Sequence, residues 1–325
     1  MRLQNFQLKK LEMVKKFLEF KTKYPEKMVR RFDLSWSVWM FGRESLEKSL
    51  YRLKSNGINF VELKGDSYSD EISPKVDRVR ETLKAVDVKV SGVCGLYSQN
   101  NDLSSSNPYI RQNAIDYVKR QINFAESVGG RYLIVVPSAV GKTKPEDDYD
   151  LSRSVETLRI CAKYFERSTV KAAIEPIRSA EVSLIHTVDQ AISYIKAVDH
   201  PAIYYINGDI YHMLCEENDI ASAIIKCSDR LINLHIADSN RDGPGKGMID
   251  LDLVIMAAYL VGMNQEGRFI TFEPLGPYAD PYVLANSSPD ESVMNNLVRE
   301  SVTYFRQREE AVREMTESDI EFAIL

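Results

Sequence analysis

At four places in the second half of the chain, a short run of strand-forming residues passes directly into a side chain able to bind metal or carry a proton. VKAAIEP delivers Glu175, AIYYINGD delivers Asp209, RLINLHIAD carries His235 and RFITFEP delivers Glu273. Singly, each has an ordinary explanation. A Glu at a strand end caps a loop, and a His after an apolar run is a hydrogen-bonded core residue. Together they are three carboxylates and one imidazole at equivalent places on successive strands. That donor set suits a hard or borderline divalent ion such as Mn2+, Mg2+ or Co2+. Carboxylates gathered without a cation would repel one another. The pattern therefore predicts one metal site built from Glu175, Asp209, His235 and Glu273, with Mn2+ the favoured ion.

Other polar residues cluster near these runs. His212, just beyond Asp209 in the turn before the next helix, can hydrogen-bond a bound hydroxyl or serve helix entry. Arg241 lies in SNRDGPGKG, whose glycines let the backbone bend closely over a ligand. Glu181 closes the loop PIRSAE. Arg178 and Lys246 can hold a phosphate or carboxylate but read better as surface residues, and His186 and His200 are weaker candidates still. Trp36, Trp39 and Phe41 can wall a sugar ring or simply pack in the core.

The elements that must position these residues form a regular beat. From FDLSWSVWMF onward, strand-like runs alternate with helical ones: INFVEL, KVSGVCGL and RYLIVVP precede the four runs above, and amphipathic segments such as ESLEKSLYRLKSNG and VDQAISYIKAV separate them. Eight such units imply a parallel sheet with helical crossovers, and the length suits a (β/α)8 TIM barrel. A doubly wound open sheet is the alternative, weakened because no G-x-G-x-x-G follows the first strand. In a barrel, the carboxyl ends of the strands form the active rim.

The expected organisation is an N-terminal helical extension over residues 1–30, a barrel over 31–315 and a tail over 316–325. The extension reads as a basic amphipathic helix from residue 3 to 24, packed on the domain or on a second subunit. The 325 residues carry a net charge of −5, a poor match to phosphate backbones. No run approaches a membrane span or a signal peptide. The cysteines, Cys94, Cys161, Cys215 and Cys227, form no C-x-x-C pair and read as free thiols. A soluble, cytoplasmic protein is expected, without nucleic-acid or membrane partners.

The ordered runs E-P-x-R-x-x-E (Glu175–Glu181), G-D-x-x-H-M (Gly208–Met213), L-H-x-A-D-x-x-R (Leu234–Arg241), P-G-x-G-x-I-D (Pro244–Asp250) and F-E-P (Phe272–Pro274) resemble the xylose isomerase-like superfamily, and within it the ketose 3-epimerases of the D-tagatose/D-psicose group. The resemblance implies that Glu175, Asp209, His235 and Glu273 bind one divalent metal and that Glu181, His212 and Arg241 contact a sugar substrate. It implies epimerisation of a ketose at C3, with Glu175 and Glu273 moving the proton on opposite faces of a metal-stabilised enediolate. It also implies a dimer or tetramer. Aldose–ketose isomerisation and an inosose-type dehydration use the same rim. An apurinic-site endonuclease would need several zinc ions, for which the four His are too few. A non-catalytic sugar-binding protein would be expected to lack some rim ligands.

Overall fold

The structure, a computed structural model, describes residues 4–65, 76–277, 284 and 287–320. Eight parallel strands close into one barrel in chain order: β1 (Leu34–Ser37), β2 (Phe60–Lys64), β3 (Lys89–Cys94), β4 (Tyr132–Val135), β5 (Lys171–Ile174), β6 (Ile203–Asp209), β7 (Leu231–Ile236) and β8 (Phe269–Phe272). Closure is direct, with Leu34 beside Ile270 and Trp36 beside Phe272. The helices among the described residues include α1 (Asn5–Lys23), α2 (Leu46–Ser55), α3 (Val76–Val86), α4 (Pro108–Ser127), α5 (Asp150–Glu166), α6 (Val188–Val198), α7 (Ile210–Glu216), α8 (Ile220–Cys227), α9 (Leu251–Leu260) and α10 (Glu291–Glu314). The expected (β/α)8 barrel is the fold found.

Local chemistry explains the elements. Strands β4 and β7 are buried at every position, because one face fills the barrel and the other meets the helices. Ser45, Asn107, Thr187, Asp219 and Asp290 each cap a helix start by accepting a backbone N–H. Val61 and Leu63 join the outer core between strands and helices, whereas Phe60 turns inward and meets Phe269 at 4.9 Å between ring centres. The register slips by one residue between β2 and β3, between β5 and β6 and between β6 and β7. Each slip is a bulge that re-aims inward-pointing side chains.

Two expectations need correction. The first strand ends at Ser37, and Val38–Phe41 is a 3-10 turn that buries Met40 and Phe41 and carries Trp39. The helix expected over EENDIASAIIKCS is α8, but the turn expected before it is a further helix, because β6 runs straight into the short α7, which holds His212. The loop expected over 276–289 and the tail 316–325 lie partly outside the described residues. Helix α1 buries Met13, Val14, Phe17 and Leu18. Phe17 meets Tyr259 of α9, and the Lys21 ammonium donates to the Met315 carbonyl at 2.8 Å, so the helix is tied to the end of α10. No helix among the described residues is long and apolar enough to cross a membrane.

Candidate active site

The four residues singled out as metal ligands converge at the carboxyl rim. Asp209 ends β6 and sits beside His235 of β7 in register. Glu175 and Glu273 each follow their strand by one residue, and their backbone N–H groups still extend the ladder, to Val135 and Ile236. The focus is Nδ1 of His235. Glu273 Oε2 lies 3.4 Å from it, Glu175 Oε1 3.5 Å and Asp209 Oδ2 3.9 Å. All four side chains are buried. Asp209 also caps α7, accepting the Tyr211 N–H on Oδ1 and leaving Oδ2 for the cluster.

The electrostatics are those of anions short of positive charge. Burial lifts Glu175 to about 7 and, with repulsion from Glu273, lifts Asp209 to about 6. Burial also opposes a charged His235, yet Glu273 and Glu62 outweigh it and hold the imidazole well above its usual range. Glu273 takes the opposite course. Against the cost of burial, His235, Arg241 and the Trp39 N–H bring it down to about 2. Three buried carboxylate groups and one imidazole nitrogen fit a divalent cation of the Mn2+, Mg2+ or Co2+ class, which would supply the missing charge. Glu175, Asp209 and His235 offer ligand atoms that all lie within 4.8 Å of one another.

The three residues expected to contact substrate border this cluster. His212 is buried, its Nε2 lies 3.5 Å from Asp209 Oδ2 and its Nδ1 has no partner among the described residues. Burial and then Arg241 push it down to about 3, so it is a neutral ring with a free polar atom. Arg241 reaches toward Glu181 at 3.5 Å and Glu273 at 3.9 Å and lies over the Tyr211 ring at 4.8 Å. Its backbone is held at φ 61°, a left-handed conformation that costs a non-glycine residue about 1 kcal/mol. The loop enforces it: Arg241 N–H bonds the Asp238 carbonyl, and Asp238 accepts N–H groups from Gly245 and Ile249. Glu181 accepts Arg178 Nε at 2.6 Å.

Sequence reading placed Arg178 on the surface; it is instead half-buried, donating to Glu181 and to the Tyr211 hydroxyl at 2.6 Å. Lys246 does lie at the surface, paired with Glu300. Trp39, considered as a wall, also donates its indole N–H to Glu273. Cys94 is buried with its sulfur beside Glu62 and Glu273, and burial followed by those two charges pushes its thiol up. The residue missed outright is Glu62, fully buried in β2, with both carboxylate oxygens 3.1 Å from Nε2 of His235. Its signal was present: within FVELK it is an ionisable residue in phase with inward-pointing Phe60.

A closed barrel with a buried carboxylate–imidazole cluster on its carboxyl rim defines a class of (β/α)8 protein with a site able to hold a cation. The family is then settled by comparison. Residues 50–280 match the xylose isomerase-like TIM barrel family, and the chain belongs to it. It is 28% identical over 253 residues to 3-dehydro-D-guloside 4-epimerase of Escherichia coli (strain K12), covering 74% of this chain and 93% of that protein. It is 25% identical to ketose 3-epimerase of Arthrobacter globiformis, covering 72% and 81%. The fold is shared with an L-ribulose 3-epimerase structure at a TM-score of 0.76, with 18% identity over 87% of this chain and 96% of that one. It is shared also with D-psicose 3-epimerase with D-tagatose from Clostridium cellulolyticum H10, at 0.72 and 22% identity over 85% and 99%.

Proposed function

We propose that the chain is an enzyme of the ketose 3-epimerase type, a sugar epimerase that inverts a carbon beside a ketone by removing its proton and returning it to the other face. The single observation that carries this reading is the convergence of Glu175, Asp209 and Glu273 on Nδ1 of His235 at 3.4–3.9 Å. Glu175, Asp209, His235 and Glu273 would hold one divalent ion, Mn2+ being favoured by the donor set. Such an ion polarises the ketone and stabilises the negative charge left on the sugar when the proton departs.

The protein's own groups do the rest. Glu175 and Glu273 are the two proton carriers, and epimerisation needs one on each face of the planar enediolate. Neutral His212 offers its unpartnered Nδ1 to a sugar hydroxyl. Glu181 and Arg241, tied to each other and to Tyr211, orient further hydroxyls.

The relatives favour two positions for the inverted carbon. Several act as ketose 3-epimerases, whereas the Escherichia coli protein is a 4-epimerase of a 3-dehydro glycoside. Both carbons lie beside a carbonyl, so one site serves either. Oligomerisation is supported by Phe6 and Leu8, which stand exposed on α1, and a reducing cytoplasmic setting by four free cysteines. The test is proton exchange. With Mn2+ in D2O, a panel of free ketoses and 3-keto glycosides is followed by NMR. Deuterium is expected at a single carbon beside the ketone, lost on chelation. Exchange that survives chelation, or none with any sugar of the panel, would overturn the reading.

A further inference from the structure

Beneath the rim, the barrel interior holds a layer that an apolar core would not explain. Tyr132 donates its hydroxyl to Glu62 Oε2 at 2.7 Å. Thr271 donates to Asn233 Oδ1 at 2.7 Å, and the Asn233 amide donates to Asn207 Oδ1 at 2.8 Å and to Glu62 at 3.4 Å. The Asn207 amide in turn donates to Glu175 Oε1 at 2.7 Å and lies 3.4 Å from Nδ1 of His235. All of these side chains are buried. Buried polar groups are costly unless paired, and well-packed apolar residues would serve stability at least as well. The layer therefore needs a reason other than stability.

Its directions supply one. The chain of donors runs one way, from Thr271 through Asn233 and Asn207 to Glu175. Reversing the Asn207 amide would set its carbonyl against a carboxylate oxygen at 2.7 Å. At the other end, a carboxylate only accepts, so Glu62 requires the proton of His235 on Nε2. With one proton fixed on Nε2, the proton that a bound cation would displace is the one on Nδ1, which turns that nitrogen's lone pair toward Glu175, Asp209 and Glu273.

Backbone geometry is given over to the same contact. At the β2–β3 register slip, Glu62 pairs with Gly92, and Gly92 pairs with Tyr132. A Cβ on Gly92 would lie 2.3 Å from the Tyr132 ring, so only glycine lets that ring cross to Glu62.

The geometry points to Glu62 as a positioning residue that fixes the tautomer and the orientation of His235, turning Nδ1 into the cluster as a ready metal ligand. This rests on the metal-site reading above. Carboxylates behind a ligating imidazole commonly change metal affinity 10- to 100-fold when replaced.

The test measures metal, not turnover. Mn2+ affinity is titrated by the loss of the free-ion EPR signal for the wild type, Glu62→Gln and Glu62→Asp. The Asp variant keeps the charge but withdraws it from Nε2. Both variants are expected to bind Mn2+ about 10- to 100-fold more weakly, with metal-free melting temperatures close to wild type. In 15N-histidine spectra of the wild type loaded with diamagnetic Zn2+, His235 should carry its proton on Nε2, and Glu62→Gln should lose that pattern. Equal Mn2+ affinity in all three proteins with an unchanged His235 ring overturns the proposal. So does collapse of both variants without metal, which would make Glu62 a core residue only. If the wild type itself binds no Mn2+, the metal-site reading falls instead.

Discussion

The indole N–H of Trp39 donates to Glu273 Oε1 at 2.7 Å, joining residues 234 positions apart in the chain. The bond exists because β1 stops at Ser37 and its last residues coil into a 3-10 turn. Glu273 thus has one oxygen toward the tryptophan and the other toward His235. Trp39→Phe removes the donor while keeping most of the ring. Hydrogen bonds to charged groups are worth about 1.5–3 kcal/mol, so turnover should drop about tenfold or more. Steady-state kinetics on the sugar identified by exchange checks it, and an unchanged rate would assign Trp39 to packing alone.

Glu175→Gln and Glu273→Gln should each cost about a thousandfold in turnover with the fold intact, since neither amide can carry the proton. Circular dichroism checks the fold. Deuterium wash-in separates the roles: a variant that still exchanges the substrate proton but does not invert the carbon has lost only the carrier on the far face.

Arg178 braces the residues expected to meet the sugar, through Glu181 and the Tyr211 hydroxyl, and stacks over the Tyr211 ring at 4.9 Å. Arg178→Met should raise KM about 3- to 10-fold and leave kcat within about twofold, the mark of binding lost equally from ground and transition states. A fall in kcat alone would place Arg178 in the chemistry.

Away from the rim, Arg52 of α2 is buried against Glu44 and also donates to Asn295 of α10 at 2.6 Å, tying the first barrel helix to the last. Burial disfavours a charged Glu44, but hydrogen bonds from Arg52 and Ser49 outweigh it and hold the carboxyl below its usual range. A depressed folded pKa adds stability above the unfolded value of 4.5 that is lost as pH falls through the folded value. Arg52→Met removes the charged hydrogen bonds to a half-buried carboxylate, leaving it Ser49 and Lys48, and should cost about 2 kcal/mol near neutral pH. The gap from wild type should narrow below about pH 4, where Glu44 is protonated in the variant. Urea melts at about pH 7 and pH 3.5 check both arms.

The alternation of apolar runs and amphipathic helices, with Glu, Asp or His at four strand ends, specified both the barrel and the rim cluster. Periodicity records which face a residue turns, and in a parallel barrel the strand ends share one rim. Periodicity is blind to register and to contacts across the barrel. Glu62 looked like one more strand residue because its meaning depends on His235, 173 positions away. Likewise, Arg178 looked exposed because its local partner Glu181 is legible in the sequence, whereas Tyr211 of α7, whose ring and hydroxyl meet it, is not. Where a side chain lies along its strand was written locally. What it meets in the barrel interior was decided by the bulges and by closure, which no local run of residues encodes.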